Sequence, residues 1–357
     1  MPPVSSRDIL VFGGDESVSI RSEKLEAPGH NEVQVTTHVS AISAGTERLV
    51  YEGSLPAELA SDATIDALEN KSSDLYPTTY GYASAGRVTA LGNGVSDAWL
   101  GRKVFAFHPH ATHFNAAVSS LIPLPDDLPL ENAVLYPNME TAIGLVMDGR
   151  PVLGERVSVF GLGLVGLLVT WLLSDFPLQT LLAIDPVAQR RSLAADLGAS
   201  TTADPQNTQK LFREMKRSQH ADPTVNPEGG ADLVYELSGR PETIDDGISI
   251  CGYAGRILVG SWYGTKTAPV DLGRRYHRSH ITIRASQVST IGPEHRPRWS
   301  KSRRGDVVMR RLANLPTEIL NTVDRPFHDA AETYQMLSEP DSSVVQILHK
   351  YADAKQV

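Results

Sequence analysis

The sequence predicts an α/β protein in which a doubly wound parallel sheet is combined with a second, β-rich domain. The chain has 357 residues, which is long for one hydrophobic core and favours two domains. Before about residue 140, alternating stretches such as NEVQVTTHVSAIS and SAGRVTALG are typical of half-buried strands. Between about 152 and 285, strand-like runs alternate with helix-like runs, as where RVSVFG precedes LVGLLVTWLLSDF. This alternation indicates parallel strands joined by crossover helices.

Composition limits the classes of function. A formal net charge of −9 and 41% hydrophobic residues describe a soluble globular protein with no overall attraction to nucleic acid or anionic lipid. The single cysteine, Cys251, excludes an internal disulfide and fits a reducing compartment. The first residues lack the pattern of a secretion signal, and the apolar run from Val157 to Leu173 is too short to span a membrane. We therefore expect a cytoplasmic protein with neither nucleic acid nor membrane as a partner.

Three spaced glycines lie at the first junction between a strand-like and a helix-like run. Gly161, Gly163 and Gly166 form GxGxxG, with Leu162, Leu164 and Val165 between them. The first glycine permits a tight turn, the second lets the backbone approach a pyrophosphate, and the third lets helix pack on strand. The N–H groups at the helix start then face the phosphate. The alternative is a glycine turn that serves packing alone, but the pattern favours a Rossmann dinucleotide site.

An acidic residue follows the glycine turn at the distance this site requires, about 20 residues on. Asp185 closes LLAID, where it can accept hydrogen bonds from the adenosine ribose hydroxyls and repel a 2′-phosphate. NAD is therefore the predicted cofactor, and NADP is the alternative because Arg190 and Arg191 lie close by. Val259 and Ser286, in the later runs GRILVGS and ITIRASQ, complete the predicted cofactor-binding set.

Several segments together resemble one enzyme family over nearly the whole chain. They are AISAGTE, YGYASAGRVTALGNGV, GRKVFAF, METAIGLV, GERVSVFGLGLVG and the C-terminal tail. The chain resembles the medium-chain dehydrogenase/reductase superfamily. The resemblance implies a GroES-like catalytic domain over 1–137 and 287–357, a Rossmann domain over 138–286, a cofactor cleft between them and hydride transfer to or from nicotinamide.

The catalytic metal that many members of that superfamily carry is not expected here. Where zinc alcohol dehydrogenases have Cys, His and Cys, this chain has Ser43, Tyr82 and Pro137, and Ala83 replaces the usual nearby Glu. Zinc prefers thiolate and imidazole ligands, so we expect no metal. The segment ISAGTE is most similar to a zinc-free branch related to bacteriochlorophyllide hydroxyethyl dehydrogenases. The pigment substrate of that branch is not carried over.

Three residues are candidates for proton transfer in the absence of zinc. His108 follows GRKVFAF, where relatives line the substrate pocket, and imidazole can exchange a proton near neutral pH. Tyr82, at a former ligand position, can donate to a carbonyl oxygen or can simply fill the volume that the metal vacated. Thr46 matches a turn that offers a hydroxyl relay in the family, but it can equally stabilise that turn.

The segment FHPHATH allows two other interpretations of His108. Together with His110 and His113 it can share a transition metal, or the three can belong to a surface loop. Pro109 prevents a regular helix that would collect the imidazoles on one face.

Basic residues concentrate in RRYHRSH and in EHRPRWSKSRRGDVVMRR. They can attract an anionic small-molecule substrate, line a contact between two copies of the chain, or form a solvated face. A nucleic-acid platform is disfavoured, because only Tyr276 and Trp299 interleave with the charges. A homodimer is one arrangement to expect, since GRILVGSWYG resembles the edge that pairs in family dimers.

Two segments outside the Rossmann region complete the prediction. SLPAELASDATIDALENKSSD is typical of an inserted surface helix that begins at Ser54 and Pro56, and the tail after 304 predicts helix, strand and helix. The predicted function is NAD(P)-dependent oxidation of a secondary alcohol, or the reverse ketone reduction, without zinc. Reduction of a quinone or enone is an alternative, as is a nicotinamide-binding sensor or structural protein without turnover.

Overall fold

The computed structural model describes residues 2–55, 75–207, 229–317, 320–337 and 343–351. The helix that the sequence predicts after Ser54 falls on 56–74, outside the described residues. The strands are β1 Ser6–Phe12, β2 Val18–Lys24, β3 Glu32–Ala41, β4 Thr78–Thr79, β5 Ser84–Leu91, β6 Lys103–Ala106, β7 His113–Ala117, β8 Ile122–Pro123, β9 Arg156–Phe160, β10 Thr180–Ile184, β11 Thr201–Ala203, β12 Ala231–Glu236, β13 Cys251–Val259, β14 Thr282–Ala285, β15 Thr322–Pro326 and β16 Gln346–Lys350. The α-helices are α1 Ala44–Tyr51, α2 Leu130–Ala133, α3 Tyr136–Gly149, α4 Leu164–Ser174, α5 Ala188–Asp196, α6 Thr243–Ile250, α7 Lys301–Ala313 and α8 Ala330–Leu337.

A six-stranded parallel sheet forms the second half of the molecule, with the order β11-β10-β9-β12-β13-β14. Its first strand in the chain, β9, lies between β10 and β12, so the connections run to both sides of it. Strands buried on both faces are rich in apolar residues, and β9 and β10 are apolar apart from Arg156, Ser158 and Thr180. This is the doubly wound α/β arrangement that the sequence predicts, and its strands all fall between residues 156 and 285.

A mixed sheet forms the β-rich half, with the order β15-β16-β3-β5-β6-β8 and β7 paired to β3. Strand β3 has partners from both ends of the chain, because β5 and β7 follow it closely and β16 returns from the C-terminus. The tail therefore forms α7, β15 and α8 as expected, and then a further strand, β16, that the sequence did not predict. A smaller sheet, β2-β1-β4, packs beside it.

One apolar cluster runs through both halves of the molecule. It contains Ala83 and Phe105 from the mixed sheet, Leu145 from α3, and Leu162 and Leu164 from the glycine turn. Because α3 joins the two sheets through this shared core, the glycine turn and the mixed sheet are held close together. Within the described part of the chain, every helix is too short or too polar to cross a membrane.

Candidate active site

The glycine turn connects β9 to α4, and its three glycines differ in what surrounds them. Gly161 has φ of 87°, and a Cβ on it would lie 2.5 Å from the carbonyl oxygen of Leu237. A Cβ on Gly166 would lie 1.9 Å from the carbonyl oxygen of Gly161. A Cβ on Gly163 would meet no heavy atom within 4 Å, and α4 begins there without a side-chain cap. The turn therefore offers open space in front of a helix N-terminus, which fits a pyrophosphate.

Asp185 lies directly after β10, beside the glycine turn. It is 4% exposed, its Oδ2 accepts from the N–H of Leu162 at 2.8 Å, and its Oδ1 accepts from the N–H of Val187 at 2.8 Å. The carboxylate thus holds the turn in shape, a role that sequence reasoning did not assign to it. Each carboxylate oxygen can accept more than one hydrogen bond, so Asp185 keeps acceptor capacity for a ribose hydroxyl.

The two arginines of α5 have different surroundings. Arg191 donates from Nη1 to the carbonyl oxygens of Asp185 at 2.7 Å and Pro186 at 2.8 Å. Arg190 donates from Nη2 to the carbonyl oxygen of Val344 at 3.2 Å, and its buried Nε has no hydrogen-bond partner among the described residues. Of the two arginines, Arg190 is therefore the one that keeps an unused hydrogen-bond donor, its Nε, among the described residues.

The remaining predicted cofactor residues lie where β13 and β14 end. The N–H of Ser286 donates to the carbonyl oxygen of Val259 at 2.9 Å, and its hydroxyl donates to Asp148 Oδ2 at 2.7 Å. Glu236, which sequence reasoning missed, closes β12 at the same edge. It is buried and accepts from the N–H of Ser238 at 2.9 Å and from the hydroxyl of Tyr263. Burial and this carboxylate raise the pKa of Tyr263, which keeps its phenol protonated.

Three hydroxyl groups meet where α1 begins, and we call Ser43, Thr46 and Tyr82 the hydroxyl cluster. The phenol of Tyr82 donates to Ser43 Oγ and lies 3.4 Å from Thr46 Oγ1. The Tyr82 ring packs against two apolar clusters, one containing Leu162 of the glycine turn and the other containing Leu49 of α1. The structure thus brings the predicted residues Tyr82 and Thr46 together where α1 begins.

The family resemblance aligns Ser43, Tyr82 and Pro137 with zinc ligands, and the atoms of these side chains do not fit that metal. Ser43 and Tyr82 offer neutral hydroxyls, and the side chain of Pro137 has no donor atom. Protein zinc sites use thiolate, imidazole or carboxylate. The only thiol, Cys251, is buried at the start of β13, and burial raises its pKa to about 12.

Another group of metal-ligating side chains occurs within the described residues. Asp148, Glu294 and His295 have ligand atoms within 4.8 Å of one another. Arg284 pairs with Glu294 and lies 3.9 Å from Asp148, so a guanidinium already balances both carboxylates. We therefore interpret this group as an ion-pair cluster, not as a metal site.

The three histidines of FHPHATH point to different partners. His108 Nδ1 lies 2.7 Å from the carbonyl oxygen of Pro109, and its ring stacks on Phe114 with the centroids 4.0 Å apart. His110 is fully buried, and His113 lies in β7 opposite Thr36. The structure therefore shows no convergence of these imidazoles on one metal.

Burial lowers the pKa of His108 to about 4, and the nearby guanidinium of Arg7 contributes to this lowering. The imidazole is consequently neutral at pH 7, with Nδ1–H donating to the Pro109 carbonyl oxygen. Such a group is not the near-neutral acid–base that the sequence suggested.

Many of the clustered basic residues are paired within the chain. Arg304 is buried and pairs with Glu140 at 2.8 Å. Arg311 pairs with Asp175 at 2.6 Å, and the guanidinium of Arg303 lies 4.3 Å from the ring centroid of Trp299. Each of these three arginines therefore has an acidic or aromatic partner within the same chain.

Comparisons with known proteins support an oxidoreductase with this combination of a parallel and a mixed sheet. Residues 165–302 match the model of the family described as zinc-binding dehydrogenase. The chain is 25% identical over 266 residues to D-guloside 3-dehydrogenase of Escherichia coli (strain K12), covering 72% of this chain and 74% of that protein. It is 26% identical over 243 residues to (R,R)-butanediol dehydrogenase of Bacillus subtilis (strain 168), covering 60% of this chain and 65% of that protein.

Solved structures share the fold over nearly the full chain. The 2R,3R-butanediol dehydrogenase from Bacillus subtilis has a TM-score of 0.75 at 18% identity and covers 96% of this chain and 99% of its own. An alcohol dehydrogenase from E. coli CFT073, complexed with NADH, has a TM-score of 0.74 at 16% identity. The match covers 97% of this chain and 100% of that chain. These matches support an oxidoreductase enzyme, and the chain is similar to members of the medium-chain dehydrogenase/reductase superfamily. The prediction of a zinc-free, bacteriochlorophyllide-related branch finds no support in these relatives, since the matched family is named for zinc binding.

Proposed function

We propose that the enzyme oxidises a secondary alcohol of a small molecule with NAD(P), or catalyses the reverse ketone reduction, and that the hydroxyl cluster takes the place of a catalytic zinc. One observation carries the proposal: Tyr82 and Ser43, which the family resemblance aligns with zinc ligands, are hydrogen-bonded to each other where α1 begins. The names of relatives that act on a guloside, butanediol and threonine support a secondary alcohol as the reacting group.

NAD is the cofactor that the site supports best. The open space at Gly163, the uncapped start of α4 and the buried carboxylate of Asp185 provide the pyrophosphate and ribose sites, and a solved relative binds NADH. The spare donor of Arg190 keeps NADP as the alternative. When bound, the nicotinamide accepts or returns the hydride.

Tyr82 is the proposed proton donor in the reduction direction. A phenol donates one hydrogen bond and its oxygen accepts others, so Tyr82 can donate to a carbonyl oxygen while Ser43 and Thr46 exchange protons with it. In the oxidation direction, the alcohol passes its proton to the Tyr82 oxygen as Tyr82 passes its own proton through Ser43 or Thr46 to solvent. We rank Tyr82 ahead of His108, the reverse of the order from sequence, because His108 is neutral at pH 7. Thr46 remains the third candidate.

The proposal also includes the domain boundaries, the location of the protein, the charge of its substrate and its oligomeric state. We propose catalytic-domain boundaries at 1–137 and 287–357 around a Rossmann domain at 138–286, which matches the origin of the strands in each sheet. A cytoplasmic location, an anionic substrate and a homodimer also remain proposals. The local pairing of many of the clustered arginines makes a solvated face the stronger interpretation of the basic residues.

The experiment follows nicotinamide absorbance at 340 nm with panels of secondary alcohols, ketones, quinones and enones, and measures zinc in dialysed protein. We expect turnover with alcohols or ketones, far less than one zinc per chain, and activity that survives a chelator. Stoichiometric zinc lost together with activity would overturn the metal-free mechanism. Turnover restricted to quinones or enones would favour that reductase, and NADH binding without turnover would favour a sensor.

A further inference from the structure

We propose that Glu47, together with His110, is the positioning residue that holds Ser43 and Tyr82 in the geometry for proton transfer. This proposal rests on the function proposed above. Neither residue belongs to the cofactor or substrate sites described so far, and sequence reasoning passed over Glu47, although it is the last residue of AISAGTE. Both side chains are fully buried, so their polar atoms must be satisfied within the protein.

The carboxylate of Glu47 is surrounded by donors. Its Oε1 accepts from the N–H of Ser43 at 2.8 Å, and its Oε2 accepts from the hydroxyl of Tyr334 and lies 3.0 Å from His110 Nε2. A buried carboxylate without such partners would be strongly destabilising, because its charge would be neither solvated nor paired. Three donors from three segments of the chain therefore fix this carboxylate in one position.

The hydrogen bonds beyond His110 continue in one direction. The hydroxyl of Tyr351 lies 2.8 Å from Ser40 Oγ, and Ser40 Oγ lies 2.7 Å from His110 Nδ1. In the tautomer of His110 that carries its proton on Nε2, Nε2–H donates to Glu47, Ser40 donates to Nδ1, and Tyr351 donates to Ser40. Burial raises the pKa of both Tyr351 and Tyr334, so the two phenols remain donors. The chain of hydrogen bonds therefore runs from Tyr351 through Ser40 and His110 to the carboxylate of Glu47.

The pair contacts the hydroxyl cluster from two sides. On one side, Glu47 holds the backbone N–H of Ser43, whose hydroxyl accepts from Tyr82. On the other side, the His110 ring packs on Gly81, directly before Tyr82: a Cβ there would lie 2.5 Å from His110 Cδ2. Gly81 has φ of 108°, which only glycine adopts readily. One rigid pair therefore sets the backbone of both partners in the Tyr82–Ser43 hydrogen bond.

Kinetics of Glu47→Gln test this role. The amide keeps the size of the side chain but turns an NH₂ toward one of the donors, so the pair loosens. We expect kcat to fall by about ten- to a hundredfold, the scale of a small misplacement, with KM and NADH affinity nearly unchanged. The matched control is Glu155→Gln, which breaks a contact with Arg256 at 2.7 Å next to the other sheet. That variant is expected to lose stability and keep kcat.

A measurement that does not need turnover separates this proposal from the function on which it rests. In protein labelled with 3-fluorotyrosine, the ¹⁹F resonance of Tyr82 is assigned with Tyr82→Phe. We expect Glu47→Gln to shift or broaden that resonance and Glu155→Gln to leave it in place. If Glu47→Gln does not fold, Tyr334→Phe removes one donor and keeps the aromatic ring, and it should move the same resonance. An unchanged Tyr82 resonance in a folded variant overturns the positioning role, whereas absence of any alcohol turnover in the wild type overturns only the proposed function.

Discussion

The imidazole of His108 stacks on Phe114, and burial holds its pKa at about 4. His349 is buried as well, and burial lowers its pKa well below the usual range. As the pH falls below about 6.5, the unfolded chain takes up protons at these positions and the folded chain does not. We therefore expect the free energy of unfolding to fall between pH 6.5 and pH 4, by up to about 1.4 kcal/mol per pH unit for each histidine. Denaturant titration at several pH values measures this slope.

His108→Gln provides the comparison for that titration. The amide cannot gain a proton, so the variant should lose less stability on acidification than the wild type. Its absolute stability at pH 7 can differ without affecting the argument, because only the slope between pH 6.5 and pH 4 is compared. Identical slopes in the two proteins would show that His108 is not held neutral.

Asp185 combines a structural and a binding role at one position. Asp185→Ser removes both the acceptor for Leu162 N–H and the charge that disfavours a 2′-phosphate. We expect lower thermal stability, weaker NADH binding and reduced discrimination against NADPH. Fluorescence titration with both cofactors measures this, with Asp204→Ser as the control because that carboxylate lies 3.5 Å from Arg191. Tighter binding of NADPH than NADH by the wild type would contradict the assignment.

Some residues of the site lie in one short segment of the sequence, and others come from distant parts of the chain. The glycines and Asp185 follow from one strand–turn–helix segment, so spacing alone located them. Glu47, Ser40, Tyr334 and Tyr351 form one network from both ends of the chain, and no short motif contains them. The sequence located His108 but could not show its stacking on Phe114, which decides its protonation.

At the scale of elements, the glycine turn supports two contrasting substitutions. Gly166→Ala places a methyl group 1.9 Å from the carbonyl oxygen of Gly161, so α4 must move and the protein should lose stability, by about 1–3 kcal/mol. Gly163→Ala meets only open space, so the fold should tolerate it, but the methyl group would enter the volume assigned to the pyrophosphate. We expect normal melting and weakened NADH binding for Gly163→Ala, measured by thermal denaturation and fluorescence. Unimpaired NADH binding would place the pyrophosphate elsewhere.

The strands and helices of the Rossmann sheet were the easiest elements to predict, because each pairs a continuous apolar run with a neighbouring helix. Strand β16 was missed, although QILHK is fully buried up to its last residue. Its pairing with β3 joins positions about 300 residues apart, and alternation within five residues cannot reveal a partner at that distance.

At the scale of the whole molecule, the C-terminal tail completes the first domain. Phe327, Tyr334 and Ile347 belong to the same apolar cluster as Phe12 and Tyr51. A fragment of residues 1–137 should therefore remain unfolded, whereas the same fragment joined by a flexible linker to 287–357 should regain cooperative unfolding. Circular dichroism with thermal melting compares the two. Cooperative melting of 1–137 alone would contradict the domain boundaries proposed here.

We propose that a hydroxyl group of this chain, not a zinc ion, exchanges the proton during hydride transfer. Tyr82→Phe tests it most directly, because the substitution removes one oxygen and keeps the ring that packs against both apolar clusters. The measurement is kcat with a confirmed secondary alcohol, with NADH affinity as the control for folding. We expect kcat of Tyr82→Phe to fall by about a hundred- to ten-thousandfold, with the affinity for NADH unchanged. Near-normal kcat in a folded, NADH-binding Tyr82→Phe variant would contradict it.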